Sequence, residues 1–142
     1  MSILNAQVRA DVRTELAKLA GPVKLVVFSQ ELVAADLCRQ NEQLVREVAE
    51  LGETITVEVL NPAIDRERAE GYGVDQVPAI VVEGARDYGI RFYGIPSGYE
   101  FSNLIDAIIV ASTGEPALSE DTKASLRALT ADVEIKVFST PT

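Results

Sequence analysis

The sequence has no histidine, no tryptophan, one cysteine and one methionine in 142 residues. Without histidine, Ser-His and Cys-His pairs, histidine-based zinc sites and imidazole proton shuttles are excluded together. Cys38 stands alone, so there is no intramolecular disulfide and no site built from several thiolates; no metal and no cofactor is expected. Cations are also scarce, with 13 Lys and Arg against 22 Asp and Glu and a net charge of −9. Duplex nucleic acid requires clustered Lys and Arg to displace its counterions, and there is no such cluster, so nucleic acid is ruled out as a main partner. Long apolar runs are missing too. The longest, residues 104–111, is interrupted by Asp106 and is far too short to span a bilayer. The start, MSILNAQVRAD, lacks the basic-then-apolar build of a signal peptide. These absences describe an acidic globular protein with no membrane partner, and a single free thiol fits a reducing, cytoplasmic location.

What is present is ordinary for a compact chain: 47% hydrophobic and 25% charged residues. The length suits one domain, or one domain and part of a second, and buries roughly 70% of the unfolded surface. Val8, Val12, Leu16 and Leu19 recur at helical spacing over 5–19, with Asn5 able to cap the start and Gly21-Pro22 to stop it. Residues 23–28, VKLVVF, read as a strand buried on both faces. A second helix is expected over 33–51, its stripe made by Leu37, Leu44, Val45, Val48 and Leu51. A strand at 54–60 follows, then Asn61-Pro62 as cap and first position of a short polar helix ending near 71–73. Runs at 79–83 and 89–93 form an antiparallel hairpin, and Phe101, Leu104, Ile105, Ile108 and Ile109 mark a core-facing helix over 99–112. This α-β-α-β-α-β-β-α order predicts an α/β fold with a mixed four-stranded sheet flanked by helices.

The two ends of the chain also align with each other. At an offset of 110 residues, LAKLAGPVKLVVFSQ lies over LRALTADVEIKVFST, with six identities in fifteen positions and a shared Val-Phe-Ser. On this reading, residues 1–112 are a complete unit and 113–142 are the first helix and strand of a second, with a strand at 133–138. A strand with no unit of its own invites edge pairing, and a homodimer is one expected outcome.

Three features then carry a family resemblance: the Val-Phe-Ser leading into a helix, the Val77-Pro78 pair forty residues after Cys38, and the string RFYGIPSGYEF at 91–101. With the first helix, VDQVPAI and the closing VFSTPT, these resemble the protein disulfide oxidoreductases, which carry two tandem thioredoxin-like units. They are also similar to the N-terminal domain of the alkyl hydroperoxide reductase flavoprotein subunit. The resemblance implies a thioredoxin or glutaredoxin fold acting on protein thiols and disulfides, and a Cys-x-x-Cys just after Thr142. It also implies that Val77 and Pro78 form a cis-proline loop that binds substrate. Cys38 would be the remnant second cysteine of such a motif, with Ala35 in the place of the first. A dithiol site needs a thiolate at a helix N-terminus and a second thiol to resolve the mixed disulfide. Cys38 alone is not sufficient, so the first unit is expected to be redox-inactive. The resemblance leaves two alternatives open: an electron-relay domain of a peroxide-reducing flavoenzyme, and a non-enzymatic interaction module.

Each of these residues also has a plainer structural reading. A lone cysteine in a helix is usually a small buried hydrophobe. Gly71-Tyr72-Gly73 lacks the third glycine of a phosphate loop and reads as a helix-ending turn. Asp65, Arg66, Glu67, Arg68 and Glu70 are mixed charges on a solvated face, with no isolated acid pair for acid–base chemistry.

Overall fold

The computed structural model describes residues 1–140. Its first helix, α1 (Ala6–Leu16), is capped by Asn5, whose side chain accepts from the Val8 N–H at 2.9 Å. The chain then tightens through Lys18 N–H to Glu15 O and Leu19 N–H to Leu16 O, so the helix ends three residues earlier than its apolar spacing suggested. β1 (Val23–Phe28) follows, then α2 (Ala35–Ala49), β2 (Ile55–Leu60) and α3 (Arg66–Tyr72). β3 (Ala79–Glu83) and β4 (Asp87–Tyr93) form the hairpin, and α4 (Tyr99–Thr113) and α5 (Glu120–Arg127) complete the described elements.

The sheet order is β2-β1-β3-β4, with β1 parallel to β2 and antiparallel to β3, and β3 antiparallel to β4. A continuous apolar run such as VKLVVF can supply both faces of a central strand, and here it does. Leu25 and Val27 join Ile80 and Val82 in one cluster with Leu44, Val45 and Val48 of α2 and Leu104, Ile105 and Ile108 of α4. On the opposite face Val26, Phe28 and Val81 pack with Leu60, Ala69 and Val74. Burying each such Val, Leu or Ile is worth about 1.5–3 kcal/mol, so the two-sided sheet is the main source of stability. At the hairpin turn Gly84 lies so close to α4 that a Cβ there would meet the Ala111 carbonyl oxygen at 1.9 Å. Only glycine lets the hairpin seat on that helix.

Four local expectations change. α2 begins at Ala35 because Ala34 is left-handed, at φ 51°, which bars a helix from running through it. Leu37 is exposed instead of lying in the α2 stripe, since it sits in the first turn where no element covers it. Cys38 and Asn41 occupy the buried face in its stead. Asn61-Pro62 makes a turn closed by Asp65 N–H to Asn61 O, and α3 starts only at Arg66.

The fourth correction concerns residues 133–138, expected to be the strand of a second unit. They form no strand among the described residues: Val133, Ile135, Val137 and Phe138 are all exposed. A strand exists by pairing its N–H and C=O groups with a neighbour, and no strand of this sheet pairs with that segment. The preceding helix does form, as α5 capped by Ser119, but none of its residues is buried. Pro141 and Thr142, the end of the VFSTPT string, lie outside the described residues.

Candidate functional site

The sheet register brings three connections to one end of the sheet. Phe28, the last residue of β1, is opposite Leu60, the last of β2, and Ala79, the first of β3. The chain leaving β1, the chain leaving β2 and the chain entering β3 therefore converge. Between them lies a groove of about 500 Å³, lined by Gln30 and Val33, by Pro62 and Ala63, and by Asp75, Gln76 and Val77. A second groove of about 540 Å³ lies between the N-terminus and the outer face of α2. It is lined mostly by paired charges, and its Ser2 hydroxyl is engaged by Glu47.

Val77 and Pro78 are joined by a cis peptide bond. Val77 faces the groove, while Pro78 is buried and its carbonyl accepts from the Gly94 N–H at 2.9 Å, tying this loop to the end of β4. Opposite, α2 starts without a side-chain cap. Ala35, in the first position of the helix, is where an attacking thiol would sit to gain from the helix dipole. Cys38 is one turn further in, only 1% exposed, and its thiol donates to the Val33 carbonyl at 3.7 Å. The site thus brings Val77 and the Val33 loop together, and leaves Cys38 beneath that loop and outside the groove lining. Arg39 is held between Glu31, at 2.8 Å, and Asp36.

The strongest electrostatic perturbations lie elsewhere. Burial alone would raise the pKa of Glu47. Hydrogen bonds from the Ser2 hydroxyl, the Leu4 and Ile3 amides and Gln43 outweigh it and hold the carboxyl at about 2. This clamp fastens residues 2–4 to α2. Beneath the sheet, Arg68 donates to both oxygens of Glu58 at 2.8 and 3.0 Å and Lys24 reaches it at 2.6 Å, lowering that pKa to about 2. Arg68 and Arg91 both stack on the Tyr72 ring, which locks α3 against the sheet. Both are structural devices.

Several groove residues were not legible beforehand. Gln30, Pro62, Ala63, Asp75 and Gln76 are loop residues without periodicity, and only strand register gathers them. Among the described residues no helix is long and apolar enough to cross a membrane.

A mixed four-stranded sheet with helices on both faces, and a cis-proline loop across from the start of α2, defines the thioredoxin-like fold class. No family model matches the chain. A Probable Thioredoxin of Methanothermobacter marburgensis is 34% identical over 84 residues, covering 58% of this chain and 92% of that relative. The chain belongs to this thioredoxin family. A second Probable Thioredoxin, from Methanothermobacter thermautotrophicus (strain Delta H), is 40% identical over 57 residues, which are 40% of this chain and 62% of that relative. Among solved structures, the alkylhydroperoxide reductase AhpF of Enterococcus faecalis (V583), as its C503A mutant, superposes with TM-score 0.79 at 25% identity. That match covers 89% of this chain and 61% of the other. A protein disulfide oxidoreductase from Aeropyrum pernix K1 gives TM-score 0.76 at 24% identity, over 90% of this chain and 57% of the other, and shows the shared fold. The chain therefore spans about three-fifths of the length of each of these two proteins.

Proposed function

We propose that residues 1–112 are a redox-inactive thioredoxin-like unit of a protein disulfide oxidoreductase. The unit presents the groove beside Val77 and Pro78 to segments of thiol- or disulfide-containing proteins. Exchange itself is carried out by a Cys-x-x-Cys beyond Thr142, in a second unit that begins at residue 113. In that reaction a thiolate attacks one sulfur of the substrate disulfide and expels the other as thiolate. The second cysteine then displaces the first substrate sulfur, leaving the substrate reduced and the enzyme oxidised. One observation carries the proposal: Ala35 occupies the helix-start position that the attacking thiol needs, and the one thiol present is buried at 1% exposure. The greater length of the structural neighbours supports a second unit. A reducing, cytoplasmic setting fits the single free cysteine.

The test is insulin reduction with dithiothreitol as donor, comparing the 142-residue chain with one extended past Thr142. The expected result is turnover by the extended chain alone, unchanged by Cys38→Ser. Turnover by the 142-residue chain that disappears with Cys38→Ser would overturn the proposal. The likeness to the alkylhydroperoxide reductase favours a second reading, in which this unit opens an electron-relay domain of a peroxide-reducing flavoenzyme. A dinucleotide-binding fingerprint several hundred residues further along would select that reading.

A further inference from the structure

The loops around the groove hold apolar side chains in water. Leu32, beside Val33, is 92% exposed, and Ile64, beside Ala63, is 81% exposed; Leu37 is also exposed in the first turn of α2. Single exposed apolar residues are common, but several around one concave site mark a surface that another molecule covers. The charge around them is negative on balance. Asp75 is the one charged residue in the lining, and no Lys or Arg lines the groove. Glu31 and Asp36 flank Leu32 and Leu37, and the one cation of that segment, Arg39, is already shared between them. Arg66, at the first position of α3, lies between Asp65 and Glu67 in sequence. The segment 30–39 together with Asp75 therefore carries two more negative charges than positive.

We infer that this groove selects extended polypeptide segments in which apolar side chains are flanked by lysine or arginine. The inference rests on the proposed docking role of the site and adds the chemistry of what docks. The apolar residues of the segment cover Leu32, Val33 and Ile64, and its flanking cations meet Glu31 and Asp75. Exposed ion pairs contribute modestly to affinity and more to selection and encounter rate, so the signature is a salt-sensitive preference.

Three cysteine-free fluorescent heptapeptides test this, sharing a central Val-Phe-Val and carrying Lys, Ser or Glu at both ends. Binding is read by anisotropy on the 142-residue chain. The Lys peptide is expected to bind roughly three- to tenfold tighter than the Ser peptide at low salt, and the Glu peptide weakest. The difference should vanish near 1 M salt, where the screening length falls to about 3 Å. Glu31→Gln with Asp75→Asn should abolish the Lys preference, bringing the Lys and Ser peptides to the same affinity. Leu32→Ser with Ile64→Ser, at exposed positions that folding does not use, should weaken all three. Equal affinities would overturn the inference and leave the docking role standing, as would a Lys preference that survives Glu31→Gln with Asp75→Asn. No binding of any peptide would overturn both.

Discussion

The Cys38 thiol donates to the carbonyl of Val33, five residues earlier, and Val33 itself forms part of the groove wall. The sulfur is therefore held beneath the loop that a docking segment would touch. Thiol reactivity depends on exposure as much as on pKa. Cys38 in the native chain should resist an aromatic disulfide reagent over a period in which the guanidinium-unfolded chain reacts to one thiol per molecule. Similar rates in the two states would show that the loop opens freely.

Ala35 and Cys38 lie one helical turn apart, the separation that a Cys-x-x-Cys bridge spans, with α-carbons within about 7 Å. Ala35→Cys should form an internal disulfide under mild oxidation, seen as the loss of both titratable thiols. Insulin turnover by this variant should stay weak, because the Asp36 carboxylate beside the new thiol disfavours its thiolate. Adding Asp36→Asn should raise the rate. If both thiols remain free under oxidant, Ala35 is not the counterpart of the missing cysteine.

Glu47 governs acid stability. Its folded pKa, about 2, lies below the ordinary 4.5, so its stabilisation is complete above pH 5 and is lost as the pH falls from 5 towards 2. A shift of that size corresponds to roughly 3 kcal/mol at neutral pH. Glu47→Gln should destabilise the chain by about 2 kcal/mol in urea at pH 7 and flatten the acid limb of the stability profile. Glu58, also held at about 2, keeps part of that limb. An unchanged acid limb in Glu47→Gln would refute the clamp.

Asn41 is fully buried on the inner face of α2, and neither its Oδ1 nor its Nδ2 has a hydrogen-bond partner among the described residues. An unpaired buried amide costs about 1–3 kcal/mol, and an apolar residue of similar volume removes that cost. Asn41→Leu is therefore expected to raise the urea midpoint, by an amount equivalent to about 1 kcal/mol. A lower midpoint would mean that the amide has a partner in solution.

Residues 133–138 carry unpaired backbone, whereas residues 23–28 are bonded on both sides. Amide exchange should be fast in the first segment and near the global limit in the second. Protection of 133–138 that grows with protein concentration would reveal pairing with a second copy. Protection that appears only in a longer chain would place the segment in a second unit.

Much of the fold was readable in the residues because local periodicity survives into the structure. The run 23–28 became the central strand with the bounds its sequence suggested, and 79–83 and the helix from Tyr99 followed the same rule. Helix starts were read less well. The left-handed backbone at Ala34 and the turn at Asn61-Pro62 are set by loop geometry, which leaves no apolar period to read.

By itself the sequence determined the chemistry that is missing: one thiol, no histidine, and alanine in place of cysteine at position 35. Those facts hold in any conformation, because they concern which side chains exist. Tertiary structure decided where the remaining groups stand. The pairing of Phe28 with Leu60 and Ala79 gathers Gln30, Ala63 and Val77 around one groove. The same packing sinks Cys38 and Asn41, leaves Leu37 in water, and deprives 133–138 of a partner. Burial and pairing depend on what lies opposite a residue, and that neighbour is usually remote in sequence.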